Sequence, residues 1–347
     1  MKVCVQLLLC SGLLLSSLES QSAQNLSDDS RASLTVEISA KVSAGRPLDS
    51  SLEAQSERSQ STSKFVTVDG TRLHFVTKGE GRPVVLIHGN PGSGQDWTRV
   101  FGPLSGLHKV IAFDRPGHGR SERPKHIDVT VEVQARLLHD ALKQLHVERP
   151  IFVGHSWGGS LALAYALAFP NELAGAVLLA PAAFESDDGV SFLSKVPGWP
   201  IIGDVVNFIF TPLLAAWLVR TDLAKAFAPD RVPKHYLRHV LAEWTRPKKV
   251  KWYSVDDALL NDSLPQFTSR YPNIRVPVAI ITGDSDLIVP AKENAHRLHE
   301  ALPHSELIIL EKTGHQIPFT RPEAVIEAID RVSGSRAVAT VSENGLQ

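Results

Sequence analysis

The stretch Val153-Gly154-His155-Ser156-Trp157-Gly158-Gly159 lies between an apolar run, Ile151-Phe152-Val153, and an Ala/Leu-rich helical segment from Leu161 to Ala168. It reads as a strand, a very tight turn and a helix, with a serine at the apex. In a G-x-S-x-G turn the small residues, here Gly154 and Gly158, let the helix and the neighbouring strand close in around a serine held on strained backbone. The competing reading is a glycine-rich turn whose serine caps the helix behind it. The turn alone does not separate the two, so the decision rests on what stands at the other strand ends.

Working outward, Phe65-Val66-Thr67-Val68 and Arg72-Leu73-His74-Phe75-Val76 flank Asp69-Gly70, a hairpin signal. Val84-Val85-Leu86-Ile87 runs into His88-Gly89-Asn90-Pro91-Gly92, and Val110-Ile111-Ala112-Phe113 into Asp114-Arg115-Pro116-Gly117-His118-Gly119. Such continuous apolar runs suit strands covered on both faces. Val131, Leu138, Leu142 and Leu145 recur at helical spacing, which predicts a helix with one face on the sheet. Beyond the serine turn, Ala176-Val177-Leu178-Leu179, Val276-Pro277-Val278-Ala279-Ile280-Ile281 and Leu307-Ile308-Ile309-Leu310 continue the strands, with helices expected from Ala291 to Leu302 and from Pro322 to Val332. This alternation predicts an α/β domain: a mostly parallel eight-stranded sheet with helices on both faces and two early antiparallel strands at one edge.

The rhythm lapses after Phe184 and resumes near Val276. Residues 184–267 read as an inserted cap of several short helices, apolar underneath, broken at Pro197, Pro200, Pro212, Pro229 and Pro233. Its site of insertion is the carboxyl end of the sheet, where α/β folds bind ligands. The α/β core then takes 64–183 and 268–333, and 334–347 reads as a flexible tail.

The first 22 residues, Lys2 followed by an apolar run to Leu15 and small polar residues at Ser20, Ser22 and Ala23, have the layout of a signal peptide. The run is shorter than the ~20 residues a membrane span needs, which favours a secreted or cell-envelope (periplasmic) protein over one anchored by residues 3–18. Both cysteines, Cys4 and Cys10, fall inside this segment, so a cleaved product has no thiol chemistry. Residues 23–63 are Ser-rich and lack aromatics, as expected of a disordered linker. Lys+Arg 36 against Asp+Glu 37 excludes a polyanion-binding surface by charge, so no nucleic-acid partner is expected; a membrane enters only if the N-terminal segment is retained.

Cleaving an acyl compound through serine needs a base for the hydroxyl proton, an acid to orient that base, and donors for the oxyanion. His315, with Gly314 and Pro318 around it, follows the last strand, and Asp286 follows the strand before. The chain order Ser, Asp, His is that of the nucleophile-elbow arrangement.

Together, His88-Gly89-Asn90-Pro91-Gly92, Asp114 to Gly119, Gly154 to Gly159, Gly283-Asp284-Ser285-Asp286 with Pro290, and Gly314-His315 resemble the α/β-hydrolase fold superfamily over residues 64–333. The resemblance implies Ser156 as nucleophile, His315 as base and Asp286 as orienting acid, with an oxyanion hole from the backbone N–H groups of Asn90 and Trp157. Asp284 and, further off, Glu185 compete for the acid role; the family's spacing from the strand-end glycine and the following proline selects Asp286. No metal or organic cofactor is required. His235 and His239, like His296 and His299, have chelating spacing but no H-E-x-x-H pattern, and His88, His118 and His155 read as loop and turn supports.

Asn90 and Trp157 also resemble the halide-binding pair of haloalkane dehalogenases. Those enzymes and the related epoxide hydrolases use a carboxylate nucleophile, whose alkyl ester water can cleave; serine would leave an ether. Ser156 therefore points to electrophilic carbonyls: esters first, then lactones, thioesters, amides or C–C bonds of β-diketone type. The expectation is a serine hydrolase, carboxylesterase-like, acting on a small, moderately apolar acyl substrate under the cap. The alternatives are a ligand-binding sensor on the same fold, a lactonase, a haloperoxidase-like member and an aminopeptidase. The last resembles the proline iminopeptidase loop at residues 88–92, although no acidic cluster for an α-amino group is evident in the cap.

Overall fold

Asp69 and Gly70 form a two-residue turn with φ of 46° and 74°, between strands β1 (Thr62–Val68) and β2 (Thr71–Lys78). Positive φ at both positions matches the right-handed twist of an antiparallel pair, and Val68 opposes Thr71 directly. The computed structural model describes residues 62–185, 202–302 and 304–334, and of residues 202–214 the backbone alone. The leader, nearly all of the linker, the tail beyond Gly334, Phe192 and Trp199 lie outside the described residues. β1 begins at Thr62, just ahead of the expected core boundary, because its first residues are paired with Thr77 and Val76. The described residues all fall within one compact unit, Ser39–Gln347.

The remaining strands are β3 (Pro83–Ile87), β4 (Lys109–Phe113), β5 (Ile151–His155), β6 (Gly175–Leu179), β7 (Val278–Gly283) and β8 (Ser305–Leu310). They form one eight-stranded sheet in the order β1-β2-β4-β3-β5-β6-β7-β8. β1, β2 and β4 pair antiparallel, and every pair from β4 through β3 to β8 is parallel. The apolar strands are two-faced because successive side chains alternate. Val85, Ile87, Phe152 and Leu178 pack beneath helices α2 (Val131–Gln144) and α3 (Trp157–Ala168). Val84, Leu86, Val153 and Leu179 pack on the other face against α1 (Thr98–Leu104) and α7 (Pro322–Ser333). α7 stops at Gly334, whose φ of 72° is the left-handed geometry of a helix C-terminus.

Between β6 and β7 the described chain forms α4 (Ile202–Phe227), α5 (Lys234–Trp244) and α6 (Pro247–Ser263). Leu223, Phe227, Tyr236, Val240, Trp244 and Tyr253 make a separate apolar cluster there, completed by Phe319. Two expectations fail locally. α4 is one helix of 26 residues and passes through Pro212, which was expected to end a short helix. A proline removes one ladder hydrogen bond and crowds the preceding turn, a local cost that this helix carries without ending. The segment expected as a helix from Ala291 to Leu302 is instead a widened π turn, Lys292–His296, followed by a short helix, Arg297–Ala301. The wide turn carries Asn294, whose Oδ1 accepts the N–H groups of Ala183 and Phe184 at 3.0 and 3.2 Å, tying the turn to the chain leaving β6. Among the described residues no helix is long and apolar enough to cross a membrane.

Candidate active site

β3 and β5 are neighbours, with Ile87 opposite Gly154, so the loops leaving their carboxyl ends meet. Ser156 follows β5 with φ 54° and ψ −118°, a strained backbone for a residue with a side chain. Its hydroxyl makes no capping bond to α3, which removes the helix-cap reading of the turn. The turn is held from outside: the Ser156 N–H donates to Leu179 O at 2.8 Å, and Ser156 O accepts from Gly159 N at 2.9 Å. A Cβ at Gly154 would collide with the Gly158 carbonyl, and one at Gly158 with that of Ile87. These two glycines are what allow strand, turn and helix to approach so closely.

His315 and Asp286 arrive from the ends of β8 and β7. His315 Nδ1 lies 2.8 Å from Asp286 Oδ2, and Asp286 Oδ1 accepts the N–H groups of Ile288 and Val289 at 2.8 and 2.9 Å. Burial pushes the Asp286 carboxyl up, but His315 and the two N–H groups more than offset it and hold it below the usual range. An ionised Asp286 accepts the hydrogen bond of Nδ1–H, which keeps the proton on Nδ1 and leaves Nε2 of His315 as the free lone pair, the tautomer a general base needs. Asp284 is turned elsewhere: its Oδ1 accepts from Ser285 Oγ at 2.8 Å and from Thr313 N at 3.3 Å. The described geometry thus brings Asp286, and not Asp284, to His315.

His155 lies between the serine turn and the histidine loop. Its Nε2 is 2.9 Å from the His315 carbonyl and its ring centroid 4.7 Å from that of His315. Burial and the neighbouring His315 hold its pKa down to about 3, so it is a neutral donor. Gln316 N donates to Ala226 O at 3.0 Å, so the end of α4 braces the histidine loop. His88 is a support as expected: Nε2 accepts the Arg115 N–H at 2.9 Å while Nδ1 faces Gly89 O at 2.8 Å.

The two oxyanion candidates sit on either side of Ser156. Trp157 opens α3, where first-turn N–H groups have no intrahelical acceptor. Asn90 follows Gly89, whose missing Cβ would stand 3.1 Å from Ser156 Cβ. The side-chain N–H groups of this pair, however, are already taken by protein oxygens. Asn90 Nδ2 donates to Tyr253 O at 2.9 Å and Asp257 Oδ1 at 2.6 Å, and Trp157 Nε1 donates to Asp256 O at 3.2 Å. All three acceptors are on α6.

Beneath them lies a cluster that the sequence reading did not anticipate. Asp256, fully buried, receives Arg115 Nη1 at 3.2 Å, Arg123 Nη1 at 2.7 Å and His118 Nε2 at 2.9 Å. Arg115 also donates through Nη2 to Gly89 O at 3.1 Å, and its guanidinium stacks 3.8 Å over the Trp157 ring. Burial raises the Asp256 carboxyl, but the His118 hydrogen bond and the Arg115 charge overcome this and bring it to about 2. His118 goes down to about 4, chiefly through burial. Next to it, Asp257 is exposed to solvent yet enclosed enough that burial pushes its carboxyl to about 7 against the Asn90 hydrogen bond. The cap therefore does carry adjacent carboxylates over the site, and the signal for them was the Asp256-Asp257 pair itself between Val255 and Ala258.

Comparison with known proteins agrees with this architecture. The model of the alpha/beta hydrolase fold family matches residues 82–322. A 2-hydroxy-6-oxo-2,4-heptadienoate hydrolase of Pseudomonas putida is 28% identical over 75% of this chain and 91% of its own. Lipase 1 of Psychrobacter immobilis is 26% identical over 78% of this chain and 82% of its own. The crystal structure of an alpha/beta hydrolase fold protein from Burkholderia ambifaria superposes with a TM-score of 0.66 at 26% identity, covering 77% of this chain and 96% of that one. With family match, sheet order and strand-end loops in agreement, this chain belongs to the α/β-hydrolase fold family and is a hydrolase.

Proposed function

We propose that the protein is a serine hydrolase that cleaves a carboxylic ester, or a closely related acyl substrate, through Ser156, His315 and Asp286. The observation that carries the reading is the 2.8 Å His315–Asp286 contact in the loops facing a serine held at φ 54° with no capping bond. His315 Nε2 removes the hydroxyl proton as Ser156 Oγ attacks the acyl carbon. The developing oxyanion is met by the N–H groups of Trp157 and Asn90. His315 then protonates the leaving alkoxide, and water activated at the same nitrogen releases the acid. Serine at this position disfavours dehalogenation and epoxide opening, and the engagement of the Asn90 and Trp157 side chains with α6 argues the same way. The names of the two relatives, a lipase and a hydrolase of an oxo-dienoate, fit attack at a carbonyl carbon.

A fluorophosphonate probe tests the assignment. Labelling of folded protein that disappears in Ser156→Ala is expected; labelling on another residue in its place, or none, would remove the proposal. A second reading draws on Asp257, a carboxylate beside the oxyanion loop able to accept a substrate ammonium. Turnover of aminoacyl anilides in preference to short p-nitrophenyl esters, lost in Asp257→Asn, would decide for an aminopeptidase.

A further inference from the structure

A second serine–histidine–aspartate chain stands at the antiparallel edge of the sheet. Ser63 Oγ on β1 is 2.9 Å from His74 Nε2 on β2, and His74 Nδ1 is 2.7 Å from Asp114 Oδ2 at the end of β4. The orienting acid is as fully engaged as Asp286. Gly94 N–H donates to Asp114 Oδ1 at 2.7 Å and Arg120 N–H to Oδ2 at 2.8 Å. Burial raises Asp114, but the His74 hydrogen bond and these N–H groups prevail and keep the carboxyl below its ordinary value.

The polarity of the chain follows. An ionised Asp114 can only accept, so His74 Nδ1 donates and Nε2 is the acceptor for the Ser63 hydroxyl. The imidazole is fixed: His74 is 6% exposed, and its own N–H donates to Ser121 Oγ at 2.8 Å. Arg120 Nη1 donates to the same Ser63 oxygen at 2.8 Å, placing a cation beside the oxygen on which alkoxide character develops as the proton leaves. Ser63 itself is exposed, unlike an ordinary core hydrogen bond.

The two groups that touch the Ser63 hydroxyl, His74 and Arg120, also line a cleft of about 330 Å³, with Val76, Phe101, Trp244 and Tyr253 among its walls. Ser156, Asp286 and His315 do not line it, and Ser63 adjoins it through His74 and Arg120. The cleft is large enough for a short acyl group, and its walls mix these apolar side chains with charged ones such as Glu243 and Arg246.

We propose that Ser63, His74 and Asp114 form a second nucleophilic site, distinct from Ser156, whose serine is acylated by small activated esters. In that step Ser63 Oγ bonds to the acyl carbon while its proton passes to His74 Nε2. The bond to the leaving oxygen breaks, and that oxygen carries the electron pair away as the nitrophenolate, or takes the proton from His74 when it is a more basic alkoxide. Arg120 steadies the negative charge that gathers on Ser63 Oγ as its proton leaves. Nothing in this proposal depends on Ser156 being the nucleophile of the main site.

The test uses the full chain carrying Ser156→Ala, treated with p-nitrophenyl acetate and digested for peptide mass spectrometry. Ser269, an exposed serine, is the internal reference. General-base assistance is worth on the order of 100-fold or more, so Ser63 should acetylate about 100-fold faster than Ser269, and faster again than in Arg120→Gln. Ser63→Ala, a change at an exposed strand end, should abolish the adduct on that peptide and leave acetylation of the Ser269 peptide unchanged. His74→Gln should bring Ser63 down to the Ser269 rate, and its melting curve reports whether it folds. Equal rates at Ser63 and Ser269 would overturn the proposal. So would an adduct at Ser63 that is unchanged in Arg120→Gln and in folded His74→Gln.

Discussion

Replacing Asp256 by alanine should be among the most damaging single changes outside the candidate nucleophile, base and acid. The carboxylate is fully buried, and its partners Arg115 and Arg123 have side chains only 1% and 8% exposed. Removing one member of a buried ionic cluster costs about 3–5 kcal/mol, because the charges left behind have lost both water and partner. The two arginines do not share the loss equally. Arg123 stacks 4.7 Å from the Trp252 ring and lies near the surface, so it can turn to solvent. Arg115 cannot, although Gln134, Gly89 and Trp157 still engage it. The expected loss is therefore about 4 kcal/mol, or roughly 1–2 M in the urea midpoint at an m-value of about 3 kcal/mol/M.

The assay is equilibrium urea unfolding of wild type, Asp256→Ala, Arg115→Met and the double variant. The double variant should recover most of the loss, since an apolar replacement leaves no orphan charge, and the cycle should give a coupling energy of about 3 kcal/mol or more. Linkage supplies an independent check. The carboxyl goes from 3.8 to about 2 on folding, so its contribution of ~2 kcal/mol is fully present above pH 4 and is lost as pH falls through the folded value. Asp256→Ala within about 1 kcal/mol of wild type at pH 7, or a cycle showing no coupling, would refute the reasoning.

Three further outcomes are expected. Asp286→Asn should lower kcat by roughly 10³–10⁴ with the melting temperature nearly unchanged, whereas Asp284→Asn should stay near wild type in an ester assay; equal effects of the two would reassign the acid. Asp257→Asn should raise the melting temperature at pH 8 and not at pH 4. A carboxyl whose folded pKa is raised to about 7 makes the native fold bind protons that the unfolded chain has released, so stability falls between pH 4 and pH 7 and the amide removes that fall. Gly158→Ala should destabilise by about 2 kcal/mol or more and abolish activity, because its Cβ would collide with the Ile87 carbonyl; a stable, active variant would mean that the elbow can relax.

The sheet was legible because each strand is a short apolar run ended by a glycine or proline loop, and residues 151–159 carry their own steric explanation. That His315 and Asp286 meet was legible for a related reason: both are loop residues directly after strands, where the topology leaves little freedom. The cluster around Asp256 was hidden. Arg115 and Asp256 are 141 residues apart, and no period or local motif links them. The charges in this α6 sequence look like a solvated helix face until the fold brings the 115–123 loop beneath it. α4 failed differently: proline costs a helix one hydrogen bond without being obliged to end it, and the 26-residue run continues through Pro212. The cluster is a tertiary effect acting on residues whose local preferences point elsewhere.

The ionic cluster also changes how the helical insertion should be understood. Asn90 is gripped from two sides: Arg115 holds the preceding carbonyl of Gly89, and α6 takes the Asn90 amide through Tyr253 O and Asp257. The histidine loop is braced in the same way, by Gln316 on Ala226 and by the close approach of Gly314 to the Ala228 carbonyl. Helices that only roofed a pocket would tune which substrates enter, and their variants would move KM. Helices that hold the oxyanion loop and the base loop set the geometry in which charge develops, and their variants must reach kcat as well. On the proposed reading α6 and the end of α4 belong to the second kind, because the contacts that fasten them to the core are the ones that hold Asn90 and the His315 loop.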